Sequence, residues 1–111
     1  MRVTRFVPAV FLVLDGRVPV GGQVALEEFL AEASSYYEEP GGIHVQLHWE
    51  RDDICQFREI IEYESVLGFE ADEERTRSDS RMREYLARWR RLLDGVASVT
   101  VWNLVAGCVI D

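Results

Sequence analysis

The chain has 111 residues, and 48% of them are hydrophobic. This length and composition exclude a disordered chain and suit one domain over residues 1–111 with a core of its own. The 20 acidic side chains outnumber the 12 basic ones and give a formal net charge of −8 at pH 7. Because phosphates repel such a chain, we expect neither a nucleic acid nor a membrane as partner.

The N-terminal part carries one apolar run, from Phe6 to Leu14, after two arginines. The run is too short to span a bilayer, which takes about 20 apolar residues. Residues 15–17 read Asp-Gly-Arg, where a signal peptide would carry small residues. We therefore interpret the run as a buried central strand whose regular pairing begins after Pro8. The glycine-rich residues 16–23 are predicted to form a loop.

The next two segments have clear hydrophobic periods. Residues 24–38 place apolar side chains at helical spacing, which predicts an amphipathic helix that ends before Pro40. Residues 43–50 alternate strictly, which predicts a half-buried strand. Its apolar face carries Ile43, Val45, Leu47 and Trp49, and its polar face carries His44, Gln46, His48 and Glu50.

Residues 56–64 alternate again and are predicted to form the next strand. Ser65 is a suitable N-cap for a short helix over residues 66–77. A second helix is expected to start at Asp79 or Ser80. Its apolar stripe consists of Met82, Tyr85, Leu86, Trp89, Leu92 and Leu93.

Gly95 follows that helix as a left-handed C-terminal cap, and the β-branched residues 96–105 are predicted to form the last strand. The order β-α-β-β-α-β defines an α+β ferredoxin-like sandwich, in which the first and third strands are central. Helices cover one face of such a sheet, so the apolar patch on the other face needs a partner, and we expect a homodimer. That patch is expected to hold Val10 or Phe11, Leu12 or Val13, Ile60, Trp102 and Leu104.

The two cysteines, Cys55 and Cys108, have neither metal-site spacing nor a CxxC pattern. Such a pair is typical of reduced thiols in an intracellular protein, so we expect a cytoplasmic location. The sequence assigns no role to either thiol.

Two histidines lie on the polar face of the strand over residues 43–50. His44 and His48 are about 13 Å apart on that face, too far to share one metal ion, so no metal is expected. If Trp49 lies opposite Phe57, then His44 lies opposite Glu62. A His–Glu pair can act as an acid–base couple near neutral pH. The alternative is ordinary cross-strand pairing at a sheet edge or dimer face.

Glu59 is an acidic residue on the otherwise apolar face of its strand, and such a conflict often marks a functional site. A buried carboxyl there would have a raised pKa and could take a proton from a phenolic substrate. The alternatives are an ion pair with an arginine of the last helix or a shifted strand register. The aromatic side chains expected on the same side are Trp49, Phe57, Tyr63, Tyr85 and Trp89.

A helix that ends at residues 39–42, Glu-Pro-Gly-Gly, precedes two strands and the motif Ser-x-x-Gly-Phe-x-Ala at residues 65–71. This pattern resembles the antibiotic biosynthesis monooxygenase family over residues 24–105. Members of that family often carry Trp and His where this chain has Tyr63 and Asp72, which makes both residues candidates for the substrate pocket.

The resemblance implies a dimeric α/β barrel with a substrate cavity between helices and sheet. It also implies a protein that binds a small aromatic or polycyclic metabolite and oxidises it as a cofactor-independent monooxygenase, without a bound cofactor. The alternative is a non-catalytic dimeric module for ligand binding or interaction that uses the same pocket.

Overall fold

The predicted order of strands and helices is confirmed by the computed structural model, which describes residues 8–104. The arrangement is ferredoxin-like, and two consecutive helices connect the third strand to the fourth. The elements are β1 (Val10–Arg17), α1 (Gln23–Tyr37), β2 (Ile43–Trp49), β3 (Gln56–Tyr63), α2 (Val66–Ser78), α3 (Ser80–Arg91) and β4 (Ser98–Asn103).

The four strands form one antiparallel sheet in the order β2-β3-β1-β4. The first and third strands are therefore central, as predicted. The register between β2 and β3 is also the predicted one, because Trp49 lies opposite Phe57 and His44 lies opposite Glu62. A shifted register is thus excluded as the reason for the inward position of Glu59.

The first strand begins after Pro8, as predicted, but continues past Leu14 to Arg17. The predicted loop therefore spans only residues 18–22, and its predicted start at residue 16 was wrong. Gly16 pairs with Phe57, and a Cβ at this glycine would come within 2.8 Å of the Phe57 ring. The glycine here permits close contact between backbone and ring instead of a turn.

The predicted first and last strands both reach beyond the described part of the chain. Residues 6–7, Val105 and Cys108 lie outside residues 8–104. Within the described part, β4 starts at Ser98, later than the predicted residue 96.

Side-chain caps start the two consecutive helices where the sequence predicted them. The hydroxyl of Ser65 accepts a hydrogen bond from the Gly68 N–H at 3.0 Å. Asp79 caps α3 by accepting from the backbone N–H groups of Arg81 and Met82. No helix in residues 8–104 is long and apolar enough to cross a membrane.

The core lies between the sheet and the helices α1 and α3. Three residues of the predicted α3 stripe, Met82, Tyr85 and Trp89, are buried, and Phe57 of β3 is 1% exposed. Within Val66–Ser78, by contrast, no residue is buried. Helix α2 therefore covers one end of the sheet without contributing to the centre of the core.

The sheet face away from the helices, here called the open face, carries part of the predicted apolar patch. The register places Phe11 and Val13 on the open face and turns Val10 and Leu12 towards the helices. Phe11 stacks on Trp102 with ring centroids 6.3 Å apart, and 54% of the Trp102 surface is exposed.

Truncation of Trp89 tests the packing of α3. The side chain is 8% exposed and packs edge-on against Phe57 with ring centroids 6.1 Å apart. Because Trp89→Ala leaves a cavity, we expect the free energy of unfolding to fall by about 3–5 kcal/mol in urea denaturation. The control is Leu67→Ala on α2, where the side chain is 78% exposed and a change within about 0.5 kcal/mol is expected. Equal losses in the two variants would contradict the buried position of Trp89.

Candidate functional site

A cavity of about 580 Å³ lies between the sheet and the helices α2 and α3. The sheet side is formed by β1, β3 and β4, and α2 and α3 form the opposite wall. Most of the lining is apolar and includes Leu12, Ile61, Phe69, Leu86 and Val101. The volume is in the range of small-molecule sites, and the cavity lies where the family resemblance implies one.

Glu59 projects from the middle of β3 into this cavity and is only 2% exposed. The indole N–H of Trp89 donates a hydrogen bond to Glu59 Oε1 at 3.1 Å. No ion pair reaches Glu59 within residues 8–104, so the alternative of an arginine partner is not found there. Oε2 has no hydrogen-bond partner among these residues, yet it is not sealed from solvent. This oxygen is therefore open to the cavity.

Burial raises the pKa of Glu59 from its usual value of 4.5 to about 7, against the smaller opposite effect of the Trp89 hydrogen bond. The charged form is disfavoured because the apolar surroundings replace water around the carboxylate. Near neutral pH the side chain therefore exists in both protonation states. A group of this kind can accept a proton from a bound molecule or return one.

Tyr63 and Asp72 also line the cavity, and they contact each other. The Tyr63 hydroxyl donates a hydrogen bond to Asp72 Oδ2, and Arg75 forms an ion pair with Oδ1 of the same carboxylate at 3.1 Å. Arg75 also donates to the backbone carbonyls of Tyr36 and Tyr37, at 3.0 and 2.8 Å. The resulting chain of contacts joins β3, α2 and the C-terminal end of α1 along one wall of the cavity.

These contacts determine which chemical role Tyr63 can have. Burial raises the pKa of the Tyr63 hydroxyl, and the hydrogen bond to Asp72 raises it further. The hydroxyl stays protonated at neutral pH and directs its proton to Asp72. Tyr63 can therefore still accept a hydrogen bond, but it does not act as a base.

Three of the aromatic side chains expected around Glu59 do not line the cavity. Phe57 lies beneath Gly16 in the core, and the Trp49 indole N–H donates to Glu27 on α1 at 3.1 Å. Tyr85 is buried against α1, with its ring 6.0 Å from that of Tyr37. These three side chains pack outside the cavity lining.

The second candidate couple, His44 and Glu62, lies elsewhere. The two residues are cross-strand neighbours, as expected from the sequence, but they project from the open face. The sheet separates them from Glu59 and the cavity. A role for this pair would therefore involve the open face and not the cavity.

Tyr37 lines the cavity and was not among the candidates from the sequence. Its position on the apolar stripe of α1 indicated a core residue, and it is 7% exposed. The one feature that could have marked Tyr37 as a site residue was its hydroxyl, because a buried tyrosine usually has a hydrogen-bond partner. The sequence contained no indication that this partner would be missing.

No family model matches the sequence, and no curated protein does. Solved structures, however, share the fold. A conserved protein from Methanosarcina mazei is 12% identical with a TM-score of 0.72, and the match covers 86% of this chain and 92% of that one. A protein from Bordetella bronchiseptica, provisionally named an antibiotic biosynthesis monooxygenase, is 17% identical with a TM-score of 0.71, covering 89% of this chain and 99% of that one.

A variant of SnoaB, a cofactor-independent oxygenase from Streptomyces nogalater, is 15% identical with a TM-score of 0.71, and the match covers 89% of this chain and 95% of that one. The resemblance to the antibiotic biosynthesis monooxygenases is thus confirmed at the level of the fold. Sequence identities this low carry no further conclusion about chemistry.

The raised pKa of Glu59 predicts a pH dependence of stability. Between about pH 4.5 and pH 7 the folded protein keeps a proton on Glu59 that the unfolded chain has released. The contribution of Glu59 to the free energy of unfolding therefore falls as pH rises through this window, by up to about 3 kcal/mol, and is constant above it.

Urea denaturation at several pH values tests this expectation. Glu59→Gln should remove the decline, whereas Glu70→Gln, an acid-to-amide change at an exposed position of α2, should keep it. Parallel pH profiles for wild type and Glu59→Gln would show that the burial of Glu59 does not shift its titration.

Proposed function

We propose that this chain binds a small aromatic or polycyclic metabolite in the cavity, with Glu59 as its principal polar contact. One observation carries the proposal: Glu59 is nearly completely buried, has no ion pair within residues 8–104 and leaves Oε2 open to an apolar cavity. Burying a carboxyl without full hydrogen bonding destabilises a protein. A ligand with a hydroxyl group supplies the missing donor.

The apolar lining supports a ligand that is mainly hydrocarbon. Side chains such as Leu12, Ile61 and Val101 exclude water without offering polar contacts. Phe69 and the ring of Trp89 add aromatic surface. Flat aromatic ring systems suit such a lining because the contacts are made over their faces.

The resemblance and the fold shared with a cofactor-independent oxygenase support oxidation as the reaction class. In this proposal the Glu59 carboxylate takes a proton from the bound metabolite and leaves an electron-rich anion, which reacts directly with O2. One oxygen atom replaces two hydrogens at a ring CH2 to give a ketone, and the other leaves as water. The metabolite supplies the electrons, so no bound cofactor is required.

A second candidate function is a ligand-binding module without turnover. The Tyr63–Asp72–Arg75 contacts favour it, because they engage the polar groups at two positions where members of the resembled family often carry Trp and His. Glu59 is then the one buried acid of the described cavity wall left to act on a ligand, since Glu73 lines the cavity from an exposed position. The two candidates differ in whether O2 is consumed.

Glu59→Gln tests the role of Glu59 while keeping the side-chain shape. We expect 1-naphthol to bind about tenfold more weakly to this variant at pH 8, because a charged hydrogen-bond acceptor is lost. Naphthalene, which has no hydroxyl, should bind equally to both proteins. The Trp89 indole N–H signal in NMR titrations reports binding, and an oxygen electrode reports turnover.

Glu70→Gln is the matched control and should bind both probes like the wild type. If Glu59→Gln binds 1-naphthol unchanged, and any oxygen consumption by the wild type persists, Glu59 is part of the scaffold and the catalytic proposal is overturned.

We infer that the open face is covered by a second copy of the chain, in a homodimer. Phe11, Ile60 and Trp102 form an apolar surface there, opposite the layer of helices, above the buried Val13. A sheet with helices on one side gains stability when its other apolar side is also buried. The dimer would then be the barrel implied by the resemblance.

Light scattering at micromolar concentration tests this inference. We expect a mass near twice the chain mass of 12.8 kDa. Trp102→Glu should shift the protein towards the monomer, because it places a charge in the apolar surface. A wild-type mass near 12.8 kDa would overturn the dimer.

A further inference from the structure

The hydroxyl of Tyr37 is a second buried polar group without a hydrogen-bond partner in the described part of the chain. Tyr37 is 7% exposed, and its hydroxyl forms no hydrogen bond with any residue from 8 to 104. The oxygen nevertheless keeps accessible surface, since no unpaired side-chain oxygen is sealed in the described part of the chain. Because Tyr37 is one of the residues that line the cavity, we infer that this hydroxyl is accessible to a ligand there.

Packing and backbone contacts hold this side chain in place. The Tyr37 ring packs edge-on against Tyr85 with centroids 6.0 Å apart. Its carbonyl accepts a hydrogen bond from Arg75 at 2.8 Å, which fixes the end of α1 against α2. A hydroxyl on a rigid ring loses little entropy when it binds a ligand.

The other buried polar groups of this part of the cavity already have partners. The Trp89 N–H is used by Glu59, and the Tyr63 O–H is used by Asp72, which also pairs with Arg75. Among the buried polar groups of residues 8–104, those without a partner there are Glu59 Oε2, which accepts a proton or hydrogen bond when ionised, and the Tyr37 hydroxyl. Glu73 and Arg90 also line the cavity, but from exposed positions.

We propose that Tyr37 is a specificity-determining residue whose hydroxyl donates a hydrogen bond to a ketone oxygen of the ligand, so that the cavity selects carbonyl-bearing aromatic molecules over their hydrocarbon analogues. The proposal rests on the proposed function of the cavity. A site with a buried donor discriminates against a ligand that cannot pair with it, because the donor is then left unsatisfied.

The surroundings of the cavity keep the Tyr37 hydroxyl protonated, as a hydrogen-bond donor must be. Burial raises the pKa of the Tyr37 hydroxyl, and the negative charge of Glu59 raises it further. The hydroxyl therefore remains a donor when Glu59 is ionised. Once Glu59 has taken a proton from a ligand, negative charge delocalised onto a conjugated ketone oxygen would strengthen the same hydrogen bond.

The experiment compares 1-tetralone with tetralin, which has the same ring system without the ketone. Binding to the full chain is measured by NMR titration of the Trp89 indole N–H. Tyr37→Phe removes only the hydroxyl and keeps the ring that packs on Tyr85. We expect this variant to bind 1-tetralone roughly fivefold more weakly and tetralin unchanged.

Tyr36→Phe is the matched control, because it removes the hydroxyl of the preceding residue of α1. That hydroxyl donates to Asp79 and does not face the cavity. The control should bind both probes like the wild type, and the amide spectra of both variants should show the native fold.

The outcomes separate this inference from the proposed function. If wild type binds both probes but Tyr37→Phe weakens them equally or not at all, the specificity role is overturned and the cavity remains a binding site. If neither 1-tetralone nor tetralin binds to the wild type, the proposed aromatic-binding function and the inference both fail.

Discussion

The hydrogen bond between the Trp89 indole and Glu59 is the contact on which the arrangement of the cavity depends. It joins the last helix to the central strand β3 and satisfies one oxygen of a carboxyl that the apolar sheet face otherwise surrounds. A neutral leucine or valine at this position would pack without the cost of removing a carboxyl from water. The acid therefore makes a polar site at a place where hydrophobic burial alone would favour none, and its second oxygen is the group left for a ligand.

The cavity wall formed by helix α2 is held in place by an ion pair, hydrogen bonds and one aromatic contact. Helix α2 buries none of its own residues, so hydrophobic packing alone does not fix it over the cavity. Its position is set by Phe69, which packs edge-on against Tyr63, and by Asp72 and Arg75. These two charged residues connect Tyr63 of β3 to the carbonyls at the end of α1. Both charged side chains are largely shielded, with exposed fractions of 11% and 16%, so water screens their attraction less than at an open surface. The same contacts hold the backbone of Tyr37 and so orient a hydroxyl in the cavity.

The sequence predicted the sheet well because the strict alternation in residues 43–50 and the less regular alternation in residues 56–64 indicate which side chains share a face. It also singled out Glu59, since an acid in an apolar register is a local conflict. The prediction from the sequence failed where one residue type can have two different structural roles. Gly16 indicated a turn but permits a close approach to Phe57. Tyr37 indicated core packing, but its hydroxyl finds no hydrogen-bond partner among residues 8–104. The missing partner of a buried hydroxyl depends on three-dimensional neighbours that no local period encodes.

The largely buried polar groups around the cavity thus fall into two sets with different consequences. Trp89, Tyr63, Asp72 and Arg75 are paired with one another or with backbone and hold the walls, so replacing them alters the shape of the site. Glu59 Oε2 and the Tyr37 hydroxyl have no hydrogen-bond partner among residues 8–104 and act only when a ligand occupies the cavity. Because burial places the pKa of Glu59 at about 7, its protonation is balanced near neutral pH. A ligand that donates to Glu59 favours the carboxylate and lowers this pKa, and by linkage its affinity must increase as pH rises. A hydrogen bond from Tyr37 to a ketone oxygen involves no such proton, so the two contacts contribute to ligand affinity with different pH dependence.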